Sequence, residues 1–541
     1  MTDSGMPTPD SRPRGHGSAP LDDAAQIAGA EADAVETPER DTRSRAGKRA
    51  PRPSRPSKAS RPPRTPVTAR GAALASARAV GGAIGVGVGV VAVLVAVFVP
   101  LPAIQSSPAS VTVTPEPTAQ QLVCAGSLLR LGNASGEDAT TATSLGGADV
   151  SYAATAGQPG TTELENSNGS PDIVSVPPAA SGDAVALVAG SQSQLLENSD
   201  FAGFAAADCA AASTEAWLVG GSTITGRTTL LTLANPSDVQ STVAISIYDD
   251  GGKIDAPGST GIVVPARGQR VLSLAGFAPE TSSPVVHITS KGGQIVANLQ
   301  QSISRGLEPG GVEIVGSTAL PATTQVIPGL AVLGSVAVEE RLGQDDSADF
   351  RTVLRILVPG EDATDATITV VPETGKAAGS SFDLRLKAGL VTEVPIEGLT
   401  DGRYSVTATA DEPIVAGLRV STAHSARPAV GDTDFAWLAA PPVLTRSAVF
   451  TAAVGPRPAL NLANAADTPV DVTVTVIGGT EQVVTVPAGG ATVVALAEKS
   501  SYQLDSASPV SAMVTYNGVG QSAGFPVREP LSTSGAITIY P

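Results

Sequence analysis

"LTLANPSDVQSTVAISIYDDGG", Leu231 to Gly252, decides the fold. Apolar residues alternate with small or polar ones, break at Asn235-Pro-Ser-Asp, and alternate again through Ser241–Asp249. A period of two in β-branched residues reads as a strand, and a break rich in Asn, Pro and Asp reads as a turn. The same phrase returns 229 residues later as "LNLANAADTPVDVTVTVIGGTE", Leu460 to Glu481. A middle copy, "LRILVPGEDATDATITVV", spans Leu354–Val371.

Each copy continues alike. "IVVPARGQRVLSL" (262–274), "LRLKAGLVTEVPI" (384–396) and "VVTVPAGGATVVAL" (483–496) each read strand, tight turn, strand, and a closing hairpin follows in every case. One hairpin cannot cover its apolar face, but about six strands in two sheets can. The unit is therefore expected to be a small sandwich written three times, with region 122–210 a degenerate fourth. Spacings of 123 and 106 residues between the copies predict beads on linkers rather than a tight solenoid. The recurring Asn235 and Asn464 are expected to make Asx turns; the middle copy has Val358 there.

The charge is divided along the chain. Residues 1–78 hold 14 Lys/Arg against 9 Asp/Glu, and the remainder 20 against 42. The strongly acidic remainder disfavours nucleic-acid binding. Between the two parts lies "AVGGAIGVGVGVVAVLVAVFV", Ala79 to Val99, with no charge. As a helix rising about 1.5 Å per residue it is long enough for a hydrocarbon core of roughly 30 Å. Arg40 to Arg78 carries 12 basic residues and one acid, and nothing charged follows until Glu116, which predicts the N-terminus inside and the body outside. "LPA" at 101–103 is a poor cleavage site, so an uncleaved signal anchor is expected. Gly81, Gly85 and Gly89 form overlapping GxxxG units that would let two membrane helices touch, giving a homodimer or a membrane partner. Cys124 and Cys209 fall outside the membrane and are expected to pair, with two buried free thiols as the alternative.

The chain thus divides into a disordered basic cytoplasmic tail (1–78), a transmembrane signal anchor (79–102), a Ser/Thr/Pro stalk (103–121), a degenerate β module with the cysteine pair (122–212), a β-sandwich module (213–305), a linker with strands (306–350), and two further β-sandwich modules (351–425 and 426–541). The expected fold class is an all-β ectodomain of tandem immunoglobulin-like β-sandwich modules behind one transmembrane helix.

From "AWLVGGSTITGRTTLLTLANPSD", Ala216 to Asp238, the chain resembles an actinobacterial family of membrane-anchored secreted proteins of unknown function, family 5719. Cys124, Cys209, Trp217-Leu-Val-Gly-Gly, Leu233-Ala-Asn-Pro, Val285-Val-His-Ile and Gly292-Gly-Gln-Ile-Val-Ala carry the resemblance, which runs from about Cys124 to the end. It implies an extracytoplasmic place and this architecture, and no activity. Some members lie near envelope glycosyltransferases, which implies a part in envelope assembly.

No residue pattern specifies a catalytic, cofactor or metal site. His16, His287 and His424 are scattered, and no HExxH, GxSxG or phosphate loop occurs; "GVGVG" at Gly85–Gly89 follows no strand. Asp249-Asp250 before Gly251-Gly252 is expected in a hairpin turn. "GQDDSAD" (343–349) and "GEDATDAT" (360–367) lack EF-hand spacing and read as acidic loops. Trp217 and Trp437 are expected as core residues, one per sandwich. These readings converge on a non-enzymatic, single-pass plasma-membrane protein. Its body would serve as an envelope scaffold or adaptor, holding an envelope glycosyltransferase, another membrane protein or cell-wall glycan through end loops. The alternative is an enzyme or accessory acting on envelope polysaccharide, which needs two carboxylates about 5–10 Å apart in a cleft.

Overall fold

The alternation in Ser241–Asp249, Thr364–Pro372 and Val470–Val476 places every second side chain inside and its neighbours toward solvent. Strands of this kind form sheets with one wet face. The other half of the opening phrase behaves differently. Arg227–Asn235, Val353–Leu357 and Ala459–Ala463 are buried almost throughout, so the sheets they form are covered on both faces. The computed structural model describes residues 87–89, 111–113, 119–132, 141–165, 167–178, 186–374, 379–425, 427, 429–530 and 537–539. It is all-β, with antiparallel sheets.

One strand order recurs. In the second group, one sheet runs Glu215–Val219, Val285–Gly292, Ser241–Asp249, with Gly252–Ile254 and Ile262–Val264 on its edge. The facing sheet runs Gly268–Ser273, Arg227–Asn235, Val296–Arg305, Glu308–Val315. Leu231, Leu233, Ile245, Ile288 and Leu299 from the two sheets share one core. The third group repeats the order, except that one 22-residue strand, Gly402–Ala423, serves both sheets. Its first half pairs with Ala322–Val332 and Thr364–Pro372, and its second half with Val353–Leu357 and Thr433–Ala439. In the fourth, Ala448–Thr451, Ser501–Ser506, Val470–Val476 and Glu481–Val486 face Ala491–Ala495, Ala459–Ala463, Val510–Gly518 and Gln521–Pro526. A shorter first group sets Gln120–Val123, Asp172–Val176 and Gly160–Glu163 beside Asp149–Ala154, Val188–Glu197 and Ala202–Asp208. The segment 306–350, expected as a linker, carries Glu308–Val315 and Ala322–Val332 and a helix, Ser335–Leu342.

The expectation of separate beads does not hold. Residues 106–541 form one compact unit. The last strands of the four groups, Ala202–Asp208, Glu308–Val315, Thr433–Ala439 and Gln521–Pro526, pack in a closed cycle, each against two of the others. The reason is composition. "AGFAAAD", "DFAWLA" and "SAGFP" are mostly apolar on both faces, so a strand that covers its own core still has a second dry face to bury.

At one end of this cycle sits Asp434, 1% exposed. Its Oδ2 accepts the Phe204 and Ser522 amides at 2.9 Å each, and its Oδ1 accepts the Val312 amide at 3.3 Å. The amide of Phe435 also points at it. One carboxylate thus bonds backbone amides from the three other central strands and faces the amide of Phe435 on its own. Gly203 and Gly311 make the approach possible: a Cβ on either would lie 2.6–2.7 Å from Asp434 Oδ1. One residue further along the strands stand Ala205, Glu313, Ala436 and Ala523, three of them small enough to let the cycle close. Glu313 spans the gap, accepting the Ile314 amide at 2.8 Å and the Trp437 amide at 3.3 Å. Burial pushes both carboxyls well above the usual carboxylate range, and the neighbouring Asp434 pushes Glu313 further.

The recurring Asn makes the expected Asx turn and more. Asn235 Oδ1 accepts the Ser237 amide at 3.0 Å, and its Nδ2 donates to Val239 O at 2.8 Å and Pro265 O at 3.0 Å. Asn464 repeats this with the Ala466 amide at 2.9 Å, Thr468 O at 2.7 Å and Pro487 O at 3.1 Å. Each Asn ties the first turn of its group to a later one 30 or 23 residues on. At Val358 the backbone does this instead, with the Gly389 amide donating to Val358 O at 2.8 Å.

Two predictions follow from these contacts. Asn464→Ala should cost about 2–3 kcal/mol in denaturant unfolding, because it strands buried donors and acceptors; a loss under about 0.5 kcal/mol would make the turn redundant. Asp434→Ala orphans amides in three other strands and should cost on the order of 3–5 kcal/mol, with Asp434→Asn costing less. A loss below about 1 kcal/mol for Asp434→Ala would mean that the carboxylate does not close the cycle.

Candidate functional site

A chain that runs through four groups must cross from each to the next, and all the crossings lie together. The segments 208–216, 317–320 and 442–443 connect successive groups, and the chain enters the first at Ala119–Leu122 and leaves the last at Phe525–Pro530. Together they line a groove of about 520 Å³, a size suited to part of a ligand or a short segment of a partner.

Its walls are held by charges. Arg528 Nε donates to Asp208 Oδ2 at 2.9 Å, and its Nη2 bonds Ser317 O, so one side chain joins the first, second and fourth groups. Thr318 Oγ1 lies 3.1 Å from both Ala416 O and Ala440 O. Glu529 accepts from Thr445 Oγ1 at 2.9 Å and from Arg446, whose amide and Nε lie at 2.8 and 2.9 Å. These amide and guanidinium bonds hold the Glu529 carboxyl below its ordinary range, against a burial that acts the other way. The lips are apolar: Leu320 is 59% exposed and Val443 51%.

On the rim, Glu215 Oε1 accepts the Trp217 indole N–H at 3.1 Å and lies 3.0 Å from His287 Nε2. Trp217 and His287 are opposite each other on adjacent strands, and their rings stack at 3.9 Å. Burial lowers the His287 pKa below 6.5, while Glu215 pulls it back up.

Several expected residues fall into place. Cys124 and Cys209 form a disulfide, which pins the first crossing beside the groove. Trp217 and Trp437 are both core residues. Asp249 accepts the Gly251 amide at 2.8 Å inside a hairpin, as its sequence predicts. His287 sits on a strand, and His424 gives its amide to Asp432 O at 2.8 Å. Among the described residues there is no group of three metal-ligating side chains. Nor does any described helix have the length and apolar character to cross a membrane. The span expected at 79–102 falls outside the described residues except for Gly87–Gly89, which are helical; Gly81 and Gly85 are among those outside, as is the tail 1–78. Glu215 and Arg528 were not singled out from sequence. Glu215 stands two positions from Trp217, hence on the same strand face, which is the only local signal of that contact. Asp208 and Arg528 are 320 residues apart, and only the cycle brings them together.

The His287 stack gives a pH prediction. A histidine with a lowered folded value favours the fold above its unfolded value near 6.5, and that contribution is lost as pH falls through the folded value. Protonated His287 should quench Trp217, so tryptophan emission should drop on acidification with a midpoint below 6.5. His287→Gln should remove the step, and Glu215→Gln should move it to lower pH. A step that survives His287→Gln would assign it to another group.

The Family of unknown function (DUF5719) matches residues 164–497. A search of curated proteins finds no match. The matched span takes in Cys209, Trp217, Asn235, Asp434 and Asn464 and leaves out Cys124 and the last strands of the fourth group. It covers more than half of the chain, which therefore belongs to the DUF5719 family of unknown function.

Proposed function

We propose that this chain is a non-enzymatic envelope scaffold or adaptor whose body holds a partner outside the membrane. The groove at the three crossings and the two chain ends carries this reading. It is framed by the connections together with strand residues such as Val188, Gly190, Val449 and Phe450, its walls are cross-braced, and its lips expose Leu320 and Val443. A braced groove with a largely apolar lining suits a surface that docks a protein segment or a glycan.

The apolar run 79–99 and its basic flank support a single-pass anchor in the plasma membrane with the N-terminus in the cytoplasm. The strand order shared by the second, third and fourth groups supports an immunoglobulin-like origin for the groups, written in tandem and then closed into a cycle. The partner held there would be an envelope glycosyltransferase, another membrane protein or wall glycan. The alternative, a polysaccharide-acting enzyme, would use carboxylates free to exchange protons. Here Asp208 is bound to Arg528 through Oδ2, Glu215 to Trp217 and His287 through Oε1, and Glu529 to Thr445 and Arg446 through both oxygens. That arrangement favours binding over general acid–base work.

The test is site-specific photo-crosslinking in intact cells. A photoreactive residue at 320 or 443 should capture the same membrane protein or wall fragment, and one at exposed Val483 should not. Leu320→Arg with Val443→Arg should reduce recovery of that partner at least tenfold. Equal capture from all three positions, or undiminished recovery with the double variant, would refute the groove as the docking site.

A further inference from the structure

Where the second and third strand groups meet, arginines outnumber the acids buried with them. Asp349 Oδ1 accepts from Arg305 Nη2 at 2.7 Å, and its Oδ2 lies 3.1 Å from Arg227 Nη2 and 3.2 Å from Arg227 Nε. Arg227 is completed by Asp346 Oδ1 at 2.6 Å, a carboxylate that is more than half exposed. Arg341 is paired with Glu308. Arg419 is different. It is buried, it forms no ion pair among the described residues, and its one hydrogen bond there is a long one, from Nη2 to Arg351 O at 3.5 Å.

The surplus is visible atom by atom. Arg419 Nε, Arg305 Nε and Nη1, and Arg341 Nε are buried and have no hydrogen-bond partner among the described residues. Phe350 lies 4.2 Å from the Arg305 guanidinium and 5.4 Å from that of Arg341, so an apolar ring covers both. Arg227, Arg305 and Arg419 stand around Asp349; Arg227 also has Asp346, and Arg419 also feels Glu393, which is already bonded to Arg355, so five arginines in this region face four carboxylates. Arginine does not shed its proton to relieve such an excess. An uncompensated buried charge is strongly destabilising, and the ordinary remedy is a counter-ion with acceptor capacity on all sides.

We propose that this cluster binds one small inorganic anion, chloride or a tetrahedral oxyanion, through the unspent N–H groups of Arg305 and Arg419. The anion neutralises the surplus and joins the two strand groups, since Arg305 belongs to one and Arg419 to the other. It is a structural ligand, bound in the folded protein and released on unfolding.

The experiment is thermal unfolding of the full-length chain at fixed ionic strength, with gluconate replaced stepwise by chloride and, separately, by sulfate. Binding to the folded state alone predicts a rise in Tm on the order of 1–3 °C per tenfold anion above its Kd. Arg419→Met, which removes the unpaired cation at similar size, should abolish that rise and lose no stability in gluconate. A Tm indifferent to the anion, or the same rise in Arg419→Met, would overturn the proposal. Should Arg419→Met fail to fold, bromide-soaked crystals of the unaltered protein decide the matter. An anomalous peak between Arg305 and Arg419 supports the site, and its absence there overturns it.

Discussion

Four backbone amides aim at the Asp434 carboxylate, and one of them comes from each of the four central strands. Strands that are already paired on one edge present unpaired amides on the other, and burying those without acceptors is costly. Neighbouring strands in a cycle cannot all pair edge to edge, so the amides at its end need another acceptor. A carboxylate has lone pairs enough for all four. Its position also explains the glycines at 203 and 311, because a side chain at either would exclude it. The rest of the architecture depends on this meeting point. Without it, each group would still cover its own core but would leave a small apolar face in water.

The far end of the same cycle follows from chain connectivity. Each group finishes on a central strand, so each crossing to the next group must start near the axis. Three crossings and the two ends of the described body therefore crowd one side, and the backbone there is irregular. Irregular backbone cannot close-pack as sheets do, which leaves a groove. Arg528, Thr318 and Glu529 satisfy carbonyls, amides and carboxylates that the crossings would otherwise leave exposed or unpaired. The disulfide Cys124–Cys209 acts on the first crossing alone, beside the shortest group. In the chain-entropy picture a loop of 85 residues is long enough for the bridge to contribute about 4–5 kcal/mol.

Much of this is legible locally, and the rest is not, for one reason. Period-two alternation in "STVAISIYD" and "VDVTVTV" reports a half-buried strand faithfully, and the Asx turns at Asn235 and Asn464 are written in residues two to four apart. The cycle is recorded in what those strands lack. "DFAWLA" and "AGFAAAD" do not alternate because both faces are dry, and an isolated run of small residues reads equally as a weak strand. The arginines mislead in a related way. Arg355 and Arg419 fall in alternating stretches where a charge ordinarily marks the wet face, yet both are buried at the meeting of two groups. Whether an outward face is outward in the whole molecule is decided by the neighbouring group, and no window along the chain contains that neighbour. The groove is hidden for the same cause: Asp208, Ser317 and Arg528 come together only when the cycle closes.

The placement of charge bears on what the groove can hold. Beyond residue 78 the chain carries 20 basic residues against 42 acidic ones, and five of those arginines, at 227, 305, 341, 355 and 419, are turned inward. Buried acids, Glu313, Asp349, Glu373 and Asp434, largely offset them, so the surface offered to a partner keeps the acidic balance of the composition. Asp346 lies on that surface and pairs with buried Arg227, while Asp365 and Asp238 pair with exposed Arg385 and Arg267. A polyanion approaching the body is repelled over distances near the Debye length, about 8–10 Å at ordinary salt. A neutral glycan or a protein segment with basic flanks is not. The arginines at 227, 305 and 341 thus fasten the strand groups to one another through their ion pairs, while the acid excess of the chain gives the outside the sign that repels anionic polymers.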